Sequence, residues 1–318
     1  MNNGKRLFDK RLKGKENPMD KFEMIPYEQR KSDFQYQDLL RTVLMCGEYR
    51  KRTNQGVGAI SLFRPTGFSF NLRNGIPLIT ERKIGFWRAA IGELLAFING
   101  AVTIAELESF GCKWWGQWAT KDLTDRAGLR EGELGPGSYG AAFHNFSTPG
   151  LEKGFNQFEA LVHGLREKPW SRTNLVNPWV PYFASEFGKR SVVCAPCHGW
   201  INCYVHNDGR LDLAMDQRSA DLPIGVPSNM IQYAALLMAL AQCCDLTPGF
   251  FIHTFVDAHI YENQVPAVKK ILDREPKRFP TLKITDPTIK DLFAFRPGHF
   301  ELSDYDPHEA ITDIPVAI

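Results

Sequence analysis

Cys194-Ala195-Pro196-Cys197-His198-Gly199-Trp200 opens a run that continues through Asp216-Gln217-Arg218-Ser219-Ala220-Asp221 and closes at Pro227-Ser228-Asn229. Within it, Trp200–Val205 and Leu211–Met215 flank Asn207-Asp208-Gly209, a strong hairpin signal because that turn needs residues that accept positive φ. The apolar stretch that follows, Ser228 to Cys244, reads as a long helix with Ser228 as its cap. Strands, turn and helix in this order predict one α+β domain with helices packed on a sheet. The same run gathers thiol, imidazole, guanidinium, hydroxyl, carboxylate and carboxamide groups between apolar segments, which suits a site walled by a packed core. A cysteine attacks as thiolate, and a nearby cation lowers its pKa; Arg218, His198 and His259 are the candidates.

At 318 residues and 43% hydrophobic content, the chain can bury a large core. A formal charge of +2 gives no reason to expect a nucleic-acid partner. The local bias of Lys5, Arg6, Lys10, Arg11, Lys13, Lys15 and Lys21 reads as a solvated basic arm over residues 1–33, ahead of a single catalytic domain over 34–318. No apolar run is long enough to span a membrane, and no apolar signal core opens the chain. Seven cysteines without framework spacing indicate reduced thiols and a cytoplasmic setting.

Working back along the chain, Phe34 to Tyr49 has helical period, and Arg52-Thr53-Asn54-Gln55-Gly56-Val57-Gly58 reads as a glycine-containing loop. Its arginine is either a solvated charge or an anion clamp. Strands follow at Ala59 to Phe63 and Phe68 to Leu72. Residues 86–98 form an apolar helix in which Glu93 is either an edge glutamate or a general acid with raised pKa. Trp114, Trp115 and Trp118 serve a core or wall a flat aromatic ligand. A polar, insertion-like stretch runs from Lys121 to Glu133, and a turn-rich loop leads to Tyr139. An amphipathic helix spans 156–166, a buried strand spans Phe250 to Phe255, and a further helix starts at Asn263.

Cys194 and Cys197 have CxxC spacing, but no second ligand pair supports zinc and no helix follows as in a redox motif; no metal is expected. Cys46, Cys112, Cys203, Cys243 and Cys244 read as buried small apolar residues. Cys197 is left as the nucleophile candidate, with His198 beside it.

Several of these motifs, taken together, resemble the thymidylate synthase superfamily, which includes the pyrimidine nucleotide hydroxymethylases. They are Ala195-Pro196-Cys197-His198, Gln217-Arg218-Ser219-Ala220-Asp221, Gly225-Val226-Pro227 with Asn229, and Asp257-Ala258-His259-Ile260-Tyr261. Glu93-Leu94-Leu95, Leu134-Gly135-Pro136 with Tyr139, and Tyr305-Asp306-Pro307-His308 join them in the same order. The resemblance implies a three-layer α/β form of the α+β class, with a mixed sheet, packed helices and a sheet-to-sheet homodimer. It implies a pyrimidine nucleoside monophosphate as substrate and 5,10-methylenetetrahydrofolate as co-substrate. By matching positions, Cys197 adds to carbon 6 of the base, and Arg52, Arg218 and Ser219 hold the phosphate with Arg172 from the other subunit. Asn229 reads the base edge, and His259 and Tyr261 read the sugar. Glu93 and Tyr139 serve proton transfer, Trp115 and Asp221 contact the folate, and Ala317-Ile318 closes the site.

The departures are Thr173 in place of a second arginine, Ala141-Ala142-Phe143-His144 after the tyrosine-glycine pair, Ala96 for a tryptophan and Ser228 for a phenylalanine. The loop before Tyr139 also carries an extra residue. Clustered at the ligand pockets, smaller side chains would admit water to the last intermediate, so hydroxymethylation of deoxyuridylate is placed ahead of methylation. The other readings are thymidylate synthase proper, a CMP or dCMP hydroxymethylase, and a non-catalytic nucleotide- or RNA-binding paralogue.

Overall fold

The computed structural model describes residues 22–150 and 152–317, so the basic cluster and Ile318 named above lie outside the described residues. The centre is a seven-stranded mixed sheet in the order β1 (Glu48–Arg50), β2 (Ala59–Phe63), β7 (Thr247–Tyr261), β6 (Arg210–Asp221), β5 (Trp200–Val205) and β4 (Leu175–Val176). β3 (Phe68–Asn71) pairs with β7 on the edge it shares with β2, and β8 (Thr281–Ile284) and β9 (Phe300–Ser303) form a separate hairpin. β6 and β7 run parallel; the other pairs are antiparallel. The expected α+β class and mixed sheet are present.

The helices that bear on the site are α1 (Gln35–Cys46), α2 (Trp87–Ile98), α3 (Tyr139–His144), α4 (Gln157–Glu167), α5 (Gly225–Cys243) and α6 (Val265–Leu272). α5 connects β6 to its parallel neighbour β7, as a crossover must. From Met230 to Cys243 every residue of α5 is buried, the pattern of a helix enclosed on all sides. Along β6 every second residue from Leu211 to Gln217 is buried, the period-two signature of a strand with one packed face. α4 is capped by Asn156, whose side chain accepts from the backbone N–H groups of Phe158 and Glu159.

Five local readings change. α1 stops at Cys46 and β1 begins at Glu48, so Tyr49 is strand; Cys46 itself is exposed rather than buried. The stretch from Lys121 carries a short helix, Lys121–Arg126. Ser228 is not a cap, because α5 starts at Gly225 and Pro227 falls in the first turn, where its missing N–H costs nothing. β7 continues through Asp257-Ala258-His259-Ile260-Tyr261, since β2 pairs with that half of the strand. No helix among the described residues is long and apolar enough to cross a membrane.

Candidate active site

The parallel pair ends where Asp221 of β6 lies in register with His259 of β7, and the first turns of α5 start just beyond. A crevice outside the carboxyl ends of parallel strands is where open sheets place ligands. Here it is a cavity of about 340 Å³ that takes in Cys197, Ser219, Asp221, Asn229, His259 and Tyr261. α2 contributes Glu93 to its wall, α3 contributes Tyr139, and Trp114, Trp115 and Trp118 form an aromatic side. A larger open groove of about 1170 Å³ lies between α4 and residues 290–293, but it contains none of the predicted site residues. Chemistry, not size, picks out the smaller one.

Cys197 precedes β5, and the chain enters that strand through Gly199 at φ 99°. A side chain at Gly199 would meet the Phe143 ring at 2.8 Å, so only glycine makes the turn. The Cys197 Sγ lies 3.5 Å from Nη2 of Arg218, whose Nε donates to the Pro196 carbonyl at 2.9 Å. A hydrogen bond from the Cys194 thiol, then the charge of Arg218, outweigh burial and bring the Cys197 thiol down to about 6. Cys194 itself is held well above the ordinary thiol range, so it stays protonated and donates.

The cation predicted beside the thiol is Arg218. His198 is not one: burial pushes its imidazole down to about 3, so it is neutral at physiological pH. Its Nδ1 pairs with the Tyr233 hydroxyl at 2.7 Å and its ring stacks on Tyr139 at 4.6 Å. Tyr139 also stacks on Phe97, and its hydroxyl accepts the Cys197 N–H at 2.6 Å. Burial raises the Tyr139 phenol well above its usual range.

Glu93 proves to be an inner residue. Its Oε1 accepts from the indole N–H groups of Trp114 and Trp115, and its Oε2 accepts from Nε2 of Gln232 at 2.6 Å. Burial raises its pKa, while these donors favour the ionised form. Burial likewise raises Asp221 to about 6, at the lip where its carboxylate accepts from Gln264. His259 bonds Asp257 at 2.9 Å.

Arg52 and Arg172 are exposed on loops outside this cavity; of the Arg52 loop, Gln55 reaches the lining. Ala317 is in the lining. Of the departures, Ser228 alone lines the cavity: Ala96, Ala142 and Phe143 are core, and Thr173 is exposed. The expected cluster of small residues at the ligand pocket is therefore absent from this chain's cavity. Sequence reading missed Gln232. Its signal was an amide set among apolar neighbours in a long, mostly apolar helix, since a buried polar group needs a partner.

A sequence profile described as thymidylate synthase matches residues 34–318. The chain is 34% identical over 321 residues to the bifunctional dihydrofolate reductase-thymidylate synthase of Zea mays, covering 97% of this chain and 60% of that protein. It is 35% identical over 298 residues to bifunctional dihydrofolate reductase-thymidylate synthase 2 of Arabidopsis thaliana, covering 91% and 51%. For the like-named protein of Glycine max the identity is 35% over 293 residues, covering 89% and 53%. The chain thus spans about half to three fifths of the length of these relatives.

Proposed function

The chain belongs to the thymidylate synthase family of one-carbon transferases, and from that premise we propose that it converts 2′-deoxyuridine 5′-monophosphate to thymidylate, using 5,10-methylenetetrahydrofolate as co-substrate. The observation that carries this reading is a thiol lowered to about 6 sharing one cavity with the unpartnered Oδ1 of Asn229. The first is a nucleophile at neutral pH; the second is an acceptor waiting for a donor such as the uracil N3–H.

In this reading the Cys197 thiolate adds to carbon 6 of the base, and the electron pair moves to carbon 5, which attacks the methylene carbon. The folate supplies that carbon and then a hydride, leaving as dihydrofolate. Loss of the carbon 5 proton is assisted at Tyr139, and Glu93 serves proton transfer at the base. Expulsion of Cys197 frees the product. Arg218, Ser219 and Arg52 hold the phosphate, and His259 and Tyr261 hold the sugar. Trp115 and Asp221 contact the folate against the tryptophan wall, and Ala317 and Ile318 close the mouth. His198 serves as a neutral stacking and hydrogen-bonding support.

A second copy completes the site. One face of the sheet leaves Leu175 and Tyr204 at 47% and 65% exposure, with Ile252 half-buried on the same face across β6. Such a patch suits an isologous sheet-to-sheet contact, and exposed Arg172, just before β4, would reach the partner's phosphate site.

Methylation takes the place that hydroxymethylation held on sequence grounds. The relatives carry thymidylate synthase in their names, and all but Ser228 of the residues that were to admit water lie outside the cavity. Ser228, which does line it, supports hydroxymethylation as the second reading. Incubation with deoxyuridylate and methylenetetrahydrofolate separates the two. Dihydrofolate formed in step with thymidylate is the expected result; tetrahydrofolate release with a hydroxymethyl product would reverse the order. Cys197→Ala should give no product while still binding nucleotide.

A further inference from the structure

An asparagine carboxamide can present either edge to a base, so Asn229 by itself does not choose between uracil and cytosine. We infer that Gln232 makes that choice, by holding the Asn229 amide in the orientation that accepts uracil nucleotides and rejects cytosine nucleotides. The inference rests on the nucleotide-binding reading given above. Gln232 is a positioning residue: it does not line the cavity.

The orientation follows from one fixed point. Nε2 of Gln232 donates to the backbone carbonyl of Ala90 at 2.9 Å and to Oε2 of Glu93 at 2.6 Å. A carbonyl only accepts, so the amino group of Gln232 must lie there and its Oε1 must point the other way. That Oε1 receives Nδ2 of Asn229 at 2.9 Å, one helical turn away on α5. Oδ1 of Asn229 is thereby left facing away, buried and without a protein partner. Asn229 is 4% exposed and Gln232 1%, so bulk water cannot rescue a wrong orientation.

Uracil presents N3–H as donor and O4 as acceptor, which match Oδ1 and the second hydrogen of Nδ2. Cytosine presents N3 as acceptor and its amino group as donor, the inverse pattern. To take cytosine, Asn229 must flip and set Oδ1 against Oε1 of Gln232. Flipping Gln232 as well would set its oxygen against the Ala90 carbonyl and the Glu93 carboxylate. Either outcome buries facing acceptors, so selectivity at the base edge is anchored on α2.

The test uses the full chain, with tryptophan fluorescence reporting equilibrium binding of deoxyuridylate and deoxycytidylate. Wild type should prefer deoxyuridylate by about a hundredfold or more. Gln232→Met, nearly the same volume, should weaken deoxyuridylate binding and cut the preference by about tenfold; Gln232→Leu should do the same. In an Asn229→Ala background Gln232→Met should leave the preference unchanged, because the lock acts through Asn229. An undiminished preference in folded Gln232→Met, or a loss that persists without Asn229, would overturn the inference. If neither apolar variant folds, Gln232→Glu keeps the shape and its carboxylate still accepts from Nδ2 of Asn229, so the preference should survive; its loss in the folded variant would equally overturn the lock. Wild type binding neither nucleotide would instead overturn the proposed function.

Discussion

Nη2 of Arg218 lies 3.5 Å from Sγ of Cys197 and also donates to the Ala195 carbonyl, while Nε of the same guanidinium donates to the Pro196 carbonyl. The cation is thus fixed to the backbone of the segment that carries the nucleophile, and both move as one piece. With the Cys194 thiol donating to the same sulfur, Cys197 ionises near 6 despite its burial.

Alkylation by iodoacetamide should follow that ionisation. The thiolate is the reactive form, so the rate should rise as pH passes through about 6 and level off above it. Cys194→Ala and Arg218→Ala should each move the midpoint upward, Cys194→Ala by the larger amount. A wild-type midpoint in the ordinary thiol range near 8.5 would sink this account.

Glu93→Gln is isosteric but should not be benign. Both carboxylate oxygens face donors, the two indoles on one side and Gln232 on the other. An amide must place its own N–H₂ against one of them, at a cost of about 1–3 kcal/mol. Urea denaturation measures the loss; an unchanged midpoint would mean that the indole and amide contacts are not maintained in solution.

Tyr139→Phe removes the acceptor of the Cys197 N–H, 2.6 Å away, while keeping the ring stack with Phe97 and His198. Turnover should fall by about 10²-fold or more if the phenol takes part in proton removal. Deoxyuridylate binding should change by only a few fold, since the phosphate and base contacts are untouched. Steady-state kinetics beside a binding titration separate the two, and near-normal kcat would exclude the role.

Asn156→Ala tests the frame rather than the chemistry. Its side-chain oxygen accepts from two N–H groups at the start of α4, outside the cavity. The variant should lose about 1 kcal/mol of stability with its kcat retained. A thermal melt and a progress curve check both halves.

Asn207-Asp208-Gly209 placed the hairpin of β5 and β6, and a short apolar run between turn signals placed β2, because such signals are local: they act between neighbours in the chain. The extension of β7 through His259 was not local. Asp257 to Tyr261 are held as strand by pairing with β2, almost two hundred residues earlier. Ser228 was misread for a related reason, since a serine before an apolar run looks like a cap until the preceding turn is seen to be helical. Ala96 and the segment 141–143 seemed to belong to the ligand pocket, but only packing shows which side of a buried helix faces a cavity.

By itself the sequence determined the inventory of the site: a thiol, an arginine, a carboxylate, a phenol and a carboxamide, in a recognisable order. It could not determine their states, because charge and hydrogen-bond polarity depend on neighbours far away in the chain. Burial makes His198 neutral, the Cys194 thiol and Arg218 make Cys197 acidic, and the Ala90 carbonyl on α2 sets which way Asn229 faces from α5. Those relations exist only once the helices and strands are packed, since a dry interior makes each polar group answer to the few partners within reach.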